Sequence, residues 1–198
     1  RTSIAVLPFT NLSADKENEY FSDGITEELI GALAKVSGLR VVSRSSTFAF
    51  RGKSASAREI GATLDVRFLL EGSVRRAGNR LRASAQLIRV SDDSHLWSET
   101  YDRQIEDVFA VQDDITARIV ETITRTLPVG HLSGPQHVRQ PRSLEAYNLC
   151  LLGRYHWNKR GEANLRQALD LFGQAAQIDP AYAPAHSGIA DACALLAS

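Results

Sequence analysis

The sequence predicts an α/β domain, with a parallel βαβ start and an antiparallel meander in one mixed sheet, followed by an all-α region of paired helices. Three observations predict it. The apolar run at 4–9, the helix-spaced stripe Ile25, Leu29, Leu33, Val36 and a short apolar run from Leu39 give strand, helix, strand. That order implies a right-handed crossover and parallel pairing. Two long alternating segments meet at Ala77-Gly78-Asn79, a hairpin signature. Beyond three prolines between 128 and 141, the pattern is wholly helical, with small and large residues at fixed spacing.

In order, residues 4–9 read as a strand buried on both faces and closed by Pro8, since proline cannot donate to a ladder. A polar loop follows at 11–19. Ser22-Asp23-Gly24 then reads as a helix start, with Ser22 or Asp23 as N-cap and Glu27 and Glu28 in the first turn. Gly38 ends this helix, and 39–43 is the next strand. Ser43-Arg44-Ser45-Ser46-Thr47 is expected to be a polar turn, and a short helix covers about 56–64. The hairpin pairs 66–75 with 81–90. Asp92-Asp93 turns the chain into a strand at 95–101. Val108, Val111, Ile115, Ile119, Ile123 and Leu127 share one face of a long helix over about 106–126, apolar toward the sheet. Pro128, Gly130, Gly134, Pro135 and Pro141 make 128–142 a linker by composition. The expected organisation is an α/β domain at 1–127, this linker, and a helical region at 143–198.

In the helical region, Leu152-Gly153 and Tyr155 lie in a first helix, and Ala168, Phe172, Ala175 and Pro180 in and after a second. Ala183, Gly188, Ala190 and Cys193 suit the first helix of another unit. This spacing resembles tetratricopeptide repeats, in which small residues let helices approach and a bulky one fills the groove between them. The first helix and its turn, through Trp157-Asn158-Lys159-Arg160-Gly161, are about three residues longer than that pattern. Gly153, Tyr155, Ala168, Phe172, Ala175 and Pro180 are thus the expected repeat-packing residues. One and a half units are too few to stand alone. The apolar surface they leave makes the repeats a surface for a protein or peptide partner, and leaves a homodimer open.

Composition bounds the function. The chain has 198 residues, 43% apolar and 23% charged, with 23 basic and 23 acidic side chains. These are ordinary globular values, and the neutral balance argues against nucleic-acid binding by the chain as a whole. Cys150 and Cys193 sit among alanines and leucines and read as reduced, buried thiols. No apolar run is long enough for a membrane helix, and no signal peptide is visible at the start. There is no methionine, so the chain is expected to be a trimmed piece of a longer protein.

The segment 22–26 suits anion binding at a helix start, but Asp23, Glu27 and Glu28 already place negative charge there, so it reads as a cap. Arg75, Arg76, Arg80 and Arg82 cluster at the hairpin tip, with Arg67 and Arg89 further along. They form either a patch for a phosphate-bearing ligand or acidic partner, or a solvated hairpin that discourages edge pairing. By alternation Arg67, Arg75, Arg82 and Arg89 do not all share a face. Trp97 and Tyr101 read as core under a helix. His95, His131, His137, His156 and His186 lack metal-ligand spacing. Asp92-Asp93 reads as turn chemistry and Asp113-Asp114 as helix-start acids. No phosphate loop, dinucleotide fingerprint or nucleophile elbow is present. The expectation is no catalytic residue, no cofactor and no metal.

The ordered segments 3–9, 20–29, 70–75, His95-Leu96-Trp97-Ser98-Glu99 and Tyr101-Asp102-Arg103 together resemble the TolB-like amino-terminal domain of bacterial signalling proteins, over about 3–127. In that family the domain lies between an effector and tetratricopeptide repeats. The effector is a class III adenylate cyclase, a Ser/Thr kinase or an OmpR-type winged-helix domain. The resemblance implies a cytoplasmic regulatory and protein-interaction segment and carries over no catalytic residue. Two other readings stand beside it. One is a small-molecule or nucleotide sensor with the repeats as a dimerisation element, motivated by 43–47 and the arginine hairpin. The other is a periplasmic envelope protein related to TolB.

Overall fold

A computed structural model describes residues 2–15, 18–126 and 143–197. The expected linker at 128–142, with His131 and His137, lies outside the described residues, as does Leu127. The described residues cluster into two compact units. Residues 19–24, the opening turns of the first helix, cluster with the helical residues from 143 onward rather than with the sheet. The expected first domain held all of that helix.

The first unit is built on one mixed sheet. Strands β1 (Thr2–Val6), β2 (Thr10–Asn11), β3 (Leu39–Val41), β4 (Phe68–Ala77), β5 (Arg80–Arg89) and β6 (Ser94–Gln104) take the order β3-β1-β4-β5-β6, with β2 also on β4. The β3, β1 and β4 strands are parallel, with Ile4 opposite both Val41 and Phe68. β4, β5 and β6 are antiparallel. β1 and β2 lie along the same edge of β4, broken by Pro8, and Thr10 pairs with Ser73. Gly72 lets this happen: a Cβ there would stand 2.2 Å from the Ser84 carbonyl and 2.7 Å from the Phe9 ring.

Helix α1 (Glu19–Ala34) follows β1, and α2 (Arg44–Phe48) and α3 (Ala57–Leu64) follow β3. The chain steps outward from β1 to β3, then back across β1 to β4. Right-handed crossovers in opposite directions put α1 and α3 on opposite faces of the sheet. On the α3 face, Ala5, Leu7, Val42, Ile60, Val66, Leu69 and Ile88 form one apolar cluster. Ile4, Val6, Phe68 and Leu70 point the other way by alternation and are buried. Helix α4 (Val108–Thr126), entered through a 3₁₀ turn at Ile105–Asp107, packs on β5 and β6. Its Val108, Val111, Ile115, Ile119 and Ile123 are buried, each contributing about 1.5–3 kcal/mol of transfer energy. Tyr101 shares this face, is buried, and donates to Asp114 Oδ2 at 2.7 Å; Trp97 is half-buried.

Two sequence expectations are corrected here. α1 starts at Glu19, with Asn18 at its cap position, not at Ser22 or Asp23. Phe21 is fully buried and extends the Ile25, Leu29, Leu33 stripe backward by one turn, so burial overrides the capping preference of Ser-Asp. Residues 44–48, expected as a turn, form the short helix α2. The short helix expected over about 56–64 is present as α3, and Ser56 caps it, accepting from Glu59 N at 3.2 Å while Ser56 N donates to the Glu59 carboxylate at 2.8 Å.

The second unit carries α5 (Leu144–Lys159), α6 (Glu162–Ile178) and α7 (Ala183–Leu196). Ser143 Oγ caps α5, accepting from Ala146 N at 3.3 Å. α5 packs on α6, α6 on α7, and α7 reaches back to α5. Phe172 stands at their centre, 2% exposed. A Cβ at Gly153 of α5 or Gly188 of α7 would lie 2.8 or 2.6 Å from its ring, so both helices approach only because these residues lack one. The extra length noted in the sequence lies in α5 itself, because only Arg160 and Gly161 join it to α6, with φ of 59° and 79°. Arg160 holds that unfavourable conformation while its guanidinium stacks 3.9 Å from the Trp157 ring and its carbonyl accepts from Asn164.

Candidate functional site

The β4–β5 hairpin tip divides the four arginines by face. Arg75 is directly opposite Arg82, and Arg82 is opposite Asp102 on β6. Arg80 lies two residues from Arg82, hence on the same face, and its guanidinium meets Asp102 at 2.5 Å. Arg76 pairs with Leu81 on the α4 face. The structure therefore puts Arg75, Arg80 and Arg82 on one face, with Arg80 paired to Asp102, and leaves Arg76 on the other. Arg75 Nε donates to the Leu12 carbonyl at 3.1 Å, and the Arg76 amide donates to Ser13 Oγ at 2.9 Å. Gly78, at φ 56°, makes the turn, and Asn79 ties it to β6 through Gln104 and the Ile105 amide. Like charges directly opposite each other cost stability, and the exposed Arg80–Asp102 pair offsets at most about 1 kcal/mol. Arg67 precedes β4, and Arg89 meets Asp92 at 3.4 Å.

A second polar cluster lies just past the carboxyl end of β3. Ser43 Oγ is 3.2 Å from Ser45 Oγ and 3.1 Å from Ser46 Oγ. Arg44 donates to Glu27 of α1 at 2.5 Å and stacks 3.8 Å over Phe48.

In the second unit, the repeat-packing residues fall in distinct places. Gly153, Ala168, Phe172 and Ala175 are buried together in the helix stack. Tyr155 is half-buried, with Lys159 Nζ 4.2 Å from its ring. Pro180 is exposed in the α6–α7 turn, and its carbonyl meets His186 Nε2 at 2.9 Å. A pocket of about 360 Å³ opens beside α5, lined by Tyr20, Leu144, Glu145, Asn148, Leu149 and Leu152. Asn148 Oδ1 is shielded from solvent and has no hydrogen-bond partner among the described residues. Sequence reading missed this pocket. Asn148 in mid-helix was the one visible signal, since asparagine is a poor interior helix residue.

The remaining polar groups are structural. Burial, then the hydrogen bond to Asp114, pushes the Tyr101 phenol well above its ordinary value. The Ser94 hydroxyl holds the Asp92 carboxyl below its usual range, and Asp93 takes φ 59° in the same turn. The Ser56 amide lowers Glu59 in the same way. Cys150 is buried as expected, whereas Cys193, also expected to be buried, is exposed. Among the described residues no group of three His, Cys, Asp or Glu side chains is placed to hold a metal ion, and no helix is long and apolar enough to cross a membrane.

Comparison with known proteins adds context. A family model described as HilA/YgeH-like transcriptional regulator, second domain, matches residues 1–119. A Rhizobium meliloti protein named "Putative adenylate cyclase 3" is 44% identical over 192 residues, covering 96% of this chain and 32% of that protein. The chain thus spans about a third of that relative's length. Among solved structures, TolB from Acinetobacter baumannii has 15% identity and a TM-score of 0.48, covering 63% of this chain and 28% of that one. Lipoprotein GNA1162 from Neisseria meningitidis has 18% identity and a TM-score of 0.46, covering 64% and 99%.

Proposed function

Through residues 1–119 this chain belongs to the HilA/YgeH-like transcriptional regulator second-domain family, and from that membership we propose that it is a regulatory and protein-interaction segment of a larger bacterial signalling protein. Its task is to couple partner binding to an effector domain elsewhere in the protein, with no chemistry of its own. The observation that carries this reading is the Phe172-centred stack, in which Gly153 and Gly188 bring three helices together beside an open pocket. That is how tetratricopeptide scaffolds are built, and we assign α5–α7 to them. The Rhizobium relative's name favours an adenylate cyclase as effector, and the family description favours a DNA-binding one. Either effector would work in the cytoplasm, the location this reading proposes; an envelope role related to TolB is the competing location.

The second reading, a small-molecule or nucleotide sensor, draws on the Ser43, Ser45, Ser46 and Arg44 cluster after β3. A thermal-shift screen over nucleotides and inorganic anions separates the two. A ligand at 100 times its Kd stabilises by about 2.7 kcal/mol. The interaction reading expects no such shift; a saturable one abolished by Ser43→Ala or Arg82→Ala reassigns the first unit as a sensor.

A further inference from the structure

The outer edge of β6 is an unfinished ladder. β6 ends the strand order and has 11 residues, whereas β3 at the other end has 3. The Ile105 amide donates to the Asn79 carbonyl, and these two residues continue the β5–β6 register. Bonded and unbonded pairs alternate along an antiparallel ladder. Arg103, Tyr101 and Glu99 therefore turn their backbone groups toward β5, and Ser98, Thr100, Asp102 and Gln104 turn theirs outward. Among the described residues no backbone hydrogen bond reaches that outward row. Exposed edges are usually guarded by proline, lysine or a bulge. Residues 94–104 hold no proline and no lysine, and the bulge at Leu87/Ile88 faces the start of β6 rather than 98–104.

The side chains select the occupant. Glu99, Tyr101 and Arg103 share the α4 face of β6, and neither Glu99 nor Arg103 enters an ion pair among the described residues. A two-fold axis perpendicular to the sheet keeps the α4 faces of two copies on the same side. Centred on Tyr101, it sets Glu99 of each copy opposite Arg103 of the other. The outward row then meets itself, Ser98 with Gln104 and Thr100 with Asp102. Centring on Glu99, Asp102 or Arg103 instead would set a charge against itself, which is destabilising.

We propose that β6 pairs antiparallel with β6 of a second copy of this chain, about a two-fold axis at Tyr101, joining the two sheets into one. The interface is isologous, with one surface patch serving both copies. It lies in the first unit and does not depend on reading α5–α7 as a scaffold.

The test is sedimentation equilibrium of the 198-residue chain, with amide hydrogen exchange followed by NMR over the same concentrations. A monomer–dimer equilibrium is expected, in which exchange at Ser98, Thr100, Asp102 and Gln104 slows as the dimer forms. Glu99→Lys and Arg103→Glu each set like charges opposite one another at two places, and each should weaken the dimer about tenfold. Mixing these two variant chains restores both opposite-charge pairs, so a heterodimer about as tight as the unaltered dimer should form. Should one variant fail to fold, the other and the exchange pattern decide. A chain that stays monomeric over the whole concentration range overturns the proposal. So does a dimer indifferent to both substitutions, or one that leaves those four amides unprotected, which marks association through another surface.

Discussion

Two glycines in α6 and α7 sit in opposite environments, and alanine at each should act with opposite sign. In a helix interior, Gly→Ala stabilises by about 1 kcal/mol. At Gly173 nothing lies within 4 Å of an added Cβ, so Gly173→Ala should realise about 0.5–1 kcal/mol of that gain. At Gly188 the added Cβ would fall 2.6–2.7 Å from three atoms of the Phe172 ring. Phe172 is buried between Gly153 and Gly188 and has no room to withdraw. Overpacking of this kind costs about 1–3 kcal/mol, so Gly188→Ala should be destabilising by up to about 2 kcal/mol net of the helix gain. For a unit of this size each kcal/mol moves Tm by about 4–8 °C. The assay is thermal and urea unfolding followed by Trp157 fluorescence in a Trp97→Phe background, so that the signal reports the second unit. Phe172→Leu should relieve Gly188→Ala, giving a coupled pair in a double-mutant cycle. If Gly188→Ala stabilises as much as Gly173→Ala, the interlocked stack is wrong.

Three further outcomes follow from the first unit. Tyr101→Phe should cost about 1 kcal/mol by removing the bond to Asp114. Because the folded phenol is raised, its contribution is full below the ordinary tyrosine value near 10 and is lost as pH rises above it; alkaline unfolding curves of the two proteins should converge. Glu59 should titrate below an ordinary glutamate by NMR, and Ser56→Ala, which removes the hydroxyl but keeps the amide, should raise it only part of the way. Its stabilisation is present above the unfolded value and is lost as pH falls through the folded one. Arg82→Thr should raise stability by about 0.2–1 kcal/mol in urea unfolding by removing the cross-strand repulsion with Arg75.

Much of the sheet was legible because its residues obey local rules. The β4–β5 hairpin announces itself through alternation and Gly78, and α3 through Ser56 and Glu59. What local rules concealed was decided by tertiary burial. Ser22-Asp23-Gly24 has the composition of a helix start, yet Phe21 is drawn into the core and carries the helix back to Glu19. α2 has five residues, too few for a period to show. Alternation also separates Arg76 from Arg75, Arg80 and Arg82, but only the register places Arg75 opposite Arg82. The Asn148 pocket depends on Tyr20, more than a hundred residues away in the chain, so no sequence spacing could reveal it.

The central claim is that this segment transmits binding to an effector. The direct measurement is the effector's rate in the intact natural protein, cyclic AMP formation if it is a cyclase, with residues 143–197 present and removed. Coupling energies in allosteric proteins are about 1–3 kcal/mol, so removal should change the rate about fivefold or more. The chain of 198 residues alone should form no product. An effector whose rate is the same with and without 143–197 would contradict the account.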